Sequence, residues 1–404
     1  MFGYISLIAK TRNVNLILFT IFIMYPLVGM GIDLIAPSLP AISHQLNISQ
    51  TVVKNLIGIY LFGYALGNFA FGFLSDTYGR RKLVILGIAF FVIISLFPIW
   101  FHNAIVLLLV RFFQGFSIAA FAVIARAICS DILTAKKLLR MATMLALTWG
   151  IGPIIGPVIG GYLQYYFDWP ACFYFFAIYA LIGLFAIILL IPETIQKRQK
   201  WRFSQIKENV VTIFTHRIFM AMVSIMGISY SILIVFNILG PFLIQKTMGH
   251  SSIYFGHIAF FMGIAFITGT ILCRVLLNTF TAEKIIAWSL LLFLIIAAVG
   301  LWVSYLEPKN IWVISVFTLL LFFGNGVTYP ACMGTALTHF RNLAGSSSAV
   351  MNLINILITS ISAFLVSFVF ATDFIRIAWI FLALSLLRSM VYWLFLARIK
   401  DPGS

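Results

Sequence analysis

Gly72-Phe73-Leu74-Ser75-Asp76-Thr77-Tyr78-Gly79-Arg80-Arg81-Lys82 is a short charged bend between two long apolar runs. Gly79 permits a tight turn that a residue with a Cβ resists, and Gly72 lets two helices approach closely. Asp76 and Arg80 are spaced to pair across the bend, with Asp131 as a second acceptor for Arg80. The pattern of apolar run and short polar bend repeats along the chain. Stretches of about 20 apolar residues, enough to cross a hydrocarbon core of roughly 30 Å, begin near Val14, Val53, Leu83, Ile105, Met141, Ala171, Ile218, Ile253, Ile285, Ile311, Ser346 and Ile377. With 63% hydrophobic residues, 9% charged residues and a mean hydropathy of +1.10, too little polar sequence remains to cover these segments in water. The expected fold is an all-α membrane protein of twelve transmembrane helices.

The basic residues explain the net charge of +16 through topology. With the amino terminus inside, most bends rich in Lys and Arg face the cytoplasm, and only Lys54, Lys246, Lys309 and Arg376 fall outside. Both termini are then cytoplasmic, and the spread of charge over many bends gives no reason to invoke a nucleic-acid partner. Lys10 and Arg12 imitate a signal peptide, but the apolar run behind them is too long and lacks a cleavage pattern, so it reads as a retained first helix. The longest polar stretch, residues 192–217, lies near the middle of the chain and divides it into a six-helix bundle over 1–191 and a second over 218–404. It reads either as an amphipathic helix on the inner leaflet, with Trp201 and Phe203 at headgroup level, or as a solvated, partly helical linker. A degraded echo of the 72–82 bend follows Gly269 half a chain later, which suggests duplication of a six-helix unit into two pseudo-symmetric bundles. Cys129, Cys172, Cys273 and Cys332 are dispersed, without disulfide or metal-site spacing.

Asp33 is the only acid deep inside an apolar segment, and a carboxylate at membrane depth costs roughly 2.5–3.5 kcal/mol on insertion scales. It is therefore a candidate proton carrier. Arg111, several residues into the fourth span, has no local acidic neighbour; its partner is either Asp33 or the backbone of span one or two. Gly152, Gly156 and Gly160 recur every fourth residue and form a stripe for close helix packing, while Pro153 and Pro157 remove backbone donors from the same helix.

Several of these stretches together resemble the major facilitator superfamily. The 72–82 bend is similar to its G-x-L-x-D-x-x-G-R-R/K loop, and Arg111-Phe112-Phe113-Gln114-Gly115 to the R-x-x-Q-G motif of its proton-antiporting members. The run from Gly150 to Gly161 resembles the glycine-proline motif of drug/proton antiporters. Asp33-Leu34-Ile35-Ala36-Pro37-Ser38-Leu39-Pro40 resembles the D-x-x-x-P-x-L-P signature of the Bcr/CflA-type and multidrug-facilitator branch. The resemblance implies proton coupling through Asp33 and Arg111. It also implies a latch of Gly72, Asp76, Gly79, Arg80 and Asp131 that holds the outward-facing state, and a bend at Gly152, Pro153, Gly156, Pro157 and Gly160 that favours exchange over leak. One departure is visible: the branch carries a second acid two turns before the first, where this chain has Tyr25.

The candidate substrate-contacting residues are Tyr25, Asp33, Tyr60, Tyr64, Arg111, Gln114, Asn237 and Tyr329, with Asn68, Asn325, Asn352 and Asn355 as further amides needing partners at membrane depth. Zinc-protease and phosphate-loop motifs are missing from the sequence, so no enzyme, cofactor or metal site is expected. Two functions fit: a monomeric bacterial inner-membrane antiporter that expels drugs or other amphiphiles against protons, and a dedicated proton-coupled transporter, import included, of one metabolite, peptide or metal chelate.

Overall fold

The computed structural model describes residues 14–195, 203–340 and 343–395. Lys10, Arg12, Trp201, Arg341 and the basic residues between 196 and 202 lie outside the described residues. Twelve long helices account for most of the chain: α1 (Val14–Asp33), α2 (Gln50–Tyr78), α3 (Arg80–Trp100), α4 (Ala104–Ile132), α5 (Ala135–Phe167), α6 (Pro170–Leu190), α7 (Arg217–Pro241), α8 (Ser252–Leu276), α9 (Ala282–Leu306), α10 (Ile311–Thr338), α11 (Ala344–Ser367) and α12 (Phe374–Phe395). Ten segments built on these helices are long and apolar enough to cross a membrane. At about 1.5 Å per residue, α2 and α5, with 29 and 33 residues, also have the length to do so. Among the described residues there are no strands. The helix Phe203–Thr215 lies in the stretch read as a linker and packs on α7 and α11.

Local chemistry sets the helix ends. Ser49, Asn103, Ser251 and Asn310 each accept a backbone N–H of the first turn, the bond that satisfies an orphan donor at a helix start. Gly79 sits at φ +100° between α2 and α3, a left-handed conformation that the sequence assigned to a glycine. Lys54, placed by charge counting on the outer side, is not a loop residue. It lies on α2 with no exposed surface, because its Nζ donates to Val369 O at 2.6 Å and rests near the rings of Phe242 and Phe370.

Within the first six helices α2 and α3 pack on α4, α3 on α6 and α1 on α5; within the last six α8 and α9 pack on α10, α7 on α11 and α9 on α12. The same interlock occurs in both halves. A Cβ at Gly63 would meet Phe112 O at 2.1 Å and one at Gly115 would meet Tyr60 O at 2.0 Å, so α2 and α4 touch backbone to backbone. Gly269 against Phe323 O at 1.9 Å and Gly326 against Phe266 O at 2.1 Å repeat that arrangement between α8 and α10. Small residues at such crossings let van der Waals packing replace the hydrophobic drive that lipid cannot supply.

The two halves meet along α2 with α11 and α5 with α8. Their hydrogen bonds gather at the Lys54 end: Lys54 to Val369 O, Asn55 Nδ2 to Ser367 Oγ at 2.9 Å, Ser360 Oγ to Gly58 O at 2.9 Å and Ser252 Oγ to Gly161 O at 2.9 Å. Farther toward the Arg80 end, a Cβ at Gly72, Gly150 or Gly334 would meet nothing within 4 Å. The close approach expected at Gly72 is therefore not made in this conformation, in which the halves are sealed at one end and parted at the other.

The stripe on α5 packs on α1. A Cβ at Gly160 would lie 1.9 Å from Leu34 O and one at Gly152 2.6 Å from Met30 N. Gly160→Ala is expected to lower the thermal unfolding midpoint in detergent, at a cost of about 1–3 kcal/mol for overpacking, whereas Gly150→Ala leaves the midpoint unchanged.

His216 caps α7 by accepting Phe219 N–H on Nδ1 at 3.2 Å, with its ring 5.0 Å from that of His339. Burial and, next, the neighbouring His339 hold its pKa below the ordinary histidine value. The neutral ring is the one that caps, so its contribution is complete above the ordinary histidine range and is lost as pH falls through the lowered pKa. The acid-induced drop in unfolding temperature is expected to be smaller in His216→Asn, which keeps an acceptor but does not titrate.

Candidate functional site

The α-helical part of the first span stops at Asp33 for a steric reason. Pro37, four residues on, has no N–H to give to the Asp33 carbonyl, and its ring crowds that oxygen. The chain passes into a 3-10 turn over Ala36–Ser38 and a short helix over Leu39–Gln45. In the second half α7 ends at Pro241, four residues after Asn237, and continues as a π turn over Phe242–Thr247. Asp33-x-x-x-Pro37 and Asn237-x-x-x-Pro241 share one spacing, one in each half, with Asp33 the last residue of α1 and Asn237 one turn inside the end of α7. They meet: Asn237 Nδ2 donates to Asp33 Oδ1 at 2.5 Å, and Gln245 Nε2 donates to Pro37 O at 2.9 Å. Asp33 is 1% exposed, and its Oδ2 has no hydrogen-bond partner among the described residues.

Arg111 takes the second of its two sequence readings. Its Nη2 donates to Gly31 O at 2.6 Å, its Nε to Leu56 O at 3.2 Å and its Nη1 to Gln114 Oε1 at 3.0 Å, while the Tyr60 ring lies 4.2 Å from the guanidinium carbon. Gln114 Nε2 passes the chain to Ser95 Oγ at 2.8 Å, which donates to Phe91 O. Arg111 is close enough to Asp33 to interact electrostatically but makes no ion pair with it; the carbonyls of α1 and α2 take the donors that pairing would have used. Tyr60, Arg111 and Gln114 have no exposed surface, so they stand behind the seam rather than on an open wall.

The other expected residues lie nearer the parted end. Tyr25 Oη donates to Ala122 O at 3.4 Å, Tyr64 stacks near Tyr60 with ring centroids 6.5 Å apart, and Tyr329 accepts from Asn355 Nδ2 at 2.9 Å with its ring 6.4 Å from Tyr230. Arg126, one turn beyond Ala122 on α4, donates from Nε to Ala122 O at 3.0 Å and is in electrostatic reach of Tyr25 and Tyr64. No ion pair to Arg126 occurs among the described residues. Nor does any group of three or more His, Cys, Asp and Glu side chains that would hold a metal ion.

At the parted end itself, Arg80 Nη1 pairs with Asp76 Oδ1 at 2.6 Å and Arg80 Nε with Asp131 Oδ2 at 3.2 Å. A model of the Major Facilitator Superfamily matches residues 21–363. The chain belongs to the major facilitator superfamily. It is thus a multi-pass membrane transporter and not an enzyme. A bicyclomycin resistance protein homolog of Haemophilus influenzae is 23% identical over 364 residues, 89% of this chain and 90% of that one. Multidrug resistance protein D of Escherichia coli is 24% identical over 346 residues, covering 85% and 86% of the two chains. The crystal structure of a D-xylose–proton symporter superposes with a TM-score of 0.75 at 15% identity, covering 95% of this chain and 98% of that one, which shows the shared fold.

Two parts of this arrangement were not read from the sequence. Glu193, assigned to the linker, caps α3: its carboxylate accepts the N–H groups of Arg80 at 2.9 Å and Arg81 at 3.2 Å, where the helix dipole favours an anion. Thr194 Oγ1 adds a bond to Asp131 Oδ2 at 2.7 Å. Nothing local in sequence marks a cap 113 residues away. The second omission is Asn237 as the partner of Asp33, for which the repeated spacing to a proline was the available signal.

Arg111→Lys keeps the charge but not the three-way donation. It is expected to fold, with a lowered unfolding midpoint, and to lose transport about tenfold or more, since a charge-assisted hydrogen bond is worth roughly 1.5–3 kcal/mol. Transport by reconstituted protein at matched expression checks this.

Proposed function

We propose that the protein exports drugs or other amphiphilic small molecules in exchange for protons by alternating access. The observation that carries this reading is the position of Asp33: a lone membrane carboxylate at the sealed end of the seam, bonded across it to the other half, with one oxygen unbonded. Such a group can take a proton when the halves part at the Lys54 end and surrender it when they part at the Arg80 end. The relatives named for bicyclomycin and multidrug resistance support export as the direction. By the positive-inside rule the Arg80 end faces the cytoplasm of a bacterial inner membrane, with both termini on that side. The chain acts as a monomer, and its rocking bodies are residues 1–191 and 218–404, joined through 192–217.

In this reading Arg111 senses the protonation state of Asp33 through α1, because it grips the carbonyl of Gly31 two residues away. Asp76, Arg80 and Asp131, fixed by Gly79 and extended by Glu193, form the latch that holds the cytoplasmic side closed in the opposite state, when Gly72 gains a neighbour. Gly152, Pro153, Gly156, Pro157 and Gly160 keep α5 tight on α1 while its other side works against α8, where Gly256 approaches Pro157 O. Tyr25, Tyr64, Asn237 and Tyr329 contact the substrate, which gains affinity from aromatic faces rather than strict geometry. Arg126, which has no acidic partner among the described residues, favours neutral or anionic over cationic compounds.

In proteoliposomes with an imposed pH gradient, uphill movement of bicyclomycin or of neutral and anionic amphiphiles from a labelled panel is expected. Asp33→Asn is expected to fold and to lose uphill movement to the level of empty liposomes. Uphill transport retained by that variant overturns the scheme.

A further inference from the structure

Arg111, Arg388 and Arg126 all lie within spanning helices, and each is held differently. Arg111 gives all three nitrogens to oxygens of its own half. Arg388 on α12 is enclosed, with Nη1 on Asn325 Oδ1 at 3.0 Å and its guanidinium carbon 3.5 Å from the centre of the Phe293 ring. Arg126 on α4 is only half-buried. Its Nε donates to Ala122 O at 3.0 Å, whereas Nη1 and Nη2 have no partner among the described residues and are not closed to water.

The space that these two nitrogens face lies between the halves. Val123, Arg126, Ala127 and Ser130, at i, i+3, i+4 and i+7, keep exposed surface while the residues between them are buried, so they form one open face of α4. Pro330, Met333, Gly334 and Leu337 repeat that spacing on α10. The helices packed on α4 are α1, α2, α3 and α5, and those on α10 are α7, α8, α9 and α11, each set from its own half. The open faces are thus left toward the parted space. Tyr64, in electrostatic reach of Arg126, is also in reach of Tyr329 on α10, which brings the two walls together. One wall carries a cation; the other offers Met333 and the Tyr329 ring.

No carboxylate of the chain is left to balance this cation. Of the ten acidic residues only Asp33 lies deep in a span, and it is bonded across the sealed end. Asp131, five residues on and about 140° round the helix from Arg126, is held by Arg80 and Thr194. A long basic side chain near a helix end ordinarily reaches out to the membrane surface. Arg126 does the opposite: Nε turns back to Ala122 O, one turn deeper, the same carbonyl to which Tyr25 Oη donates at 3.4 Å.

We propose that Nη1 and Nη2 of Arg126 hold the carboxylate of the substrate, whose apolar body lies against the α10 wall, and that the compounds carried are amphiphilic organic monoanions. A guanidinium offers a carboxylate two parallel N–H groups, and the hydroxyls of Tyr25 and Tyr64 stand within electrostatic reach of the pair. The proposal rests on the export reading for the direction of movement, but not for the binding itself.

The test is calorimetric titration of the full-length protein in detergent with aryl carboxylates of one to three rings, each alongside its own primary amide. Carboxylates are expected to bind about tenfold or more tightly than their amides, since a charge-assisted pair replaces a neutral one. The preference is expected to fall by about tenfold in Arg126→Gln and to survive in part in Arg126→Lys, which keeps the charge without the fork. A panel in which no carboxylate binds more tightly than its amide, or a preference undiminished in Arg126→Gln, overturns the site. Arg126 bonds only to its own helix, so Arg126→Gln is expected to fold. Should it not, labelling of the unaltered Arg126 by phenylglyoxal, read by peptide mass spectrometry, decides: protection by carboxylate but not by amide supports the site, and equal labelling overturns it. Proton-driven uphill movement of amides without any carboxylate preference would sink this site and leave the export reading standing. Carboxylate preference without proton-driven movement would do the reverse.

Discussion

A carboxyl group and a carboxamide, each four residues before a proline on the first helix of its half, hold the two halves of this transporter together near one side of the membrane. The bond from Asn237 to Asp33 joins the two halves directly, and in the proposed function it is the point at which proton chemistry and domain movement coincide. Burying Asp33 unpaired would be costly at either protonation state. Sharing it with the opposite half makes closure of that side depend on how the carboxyl is satisfied. Around this contact the seam is hydrogen-bonded, with the enclosed Lys54 ammonium fastened just past the end of α11 near two phenylalanine rings. Toward the far end the glycines of α2, α5 and α10 face no neighbour, and the halves are parted.

Each half has its own means of rigidity. In the first, Arg111 laces α1, α2 and α4 through backbone carbonyls and stacks on Tyr60, whose own hydroxyl lies over Gly31. In the second, Arg388 joins α12 to α10 and α7. Reciprocal glycine contacts between α2 and α4 and between α8 and α10 repeat the same solution to close packing in lipid. A buried cation in each half thus fixes helices rather than pairing with an acid.

Much of the architecture was legible because membrane insertion writes it into composition. Twelve apolar runs became twelve long helices, eleven starting within three residues of the expected place and the fifth six residues early, and Gly79 took the tight turn expected of it, at φ +100°. What escaped the sequence was non-local. The cap that Glu193 gives α3, the burial of Lys54 and the fastening of Arg111 on carbonyls all depend on backbone brought close by folding, and carbonyls have no signature in a sequence. Arg111 was legible as a buried cation but not in its partners. Asn237 was legible as an amide in need of a bond, and only the matched spacing to Pro37 and Pro241 pointed to Asp33. Gly72, read as a close-approach glycine, has no neighbour within 4 Å of where a Cβ would lie.

The central claim is that the Asp33 carboxyl exchanges its proton with water as the halves move. Infrared difference spectroscopy of the purified protein, stepped in pH and compared with Asp33→Asn, reads that exchange directly. A carboxylic-acid carbonyl band that appears and disappears reversibly in the wild type and is missing from the variant is the expected result. A wild-type spectrum identical to that of the variant at every pH would contradict it.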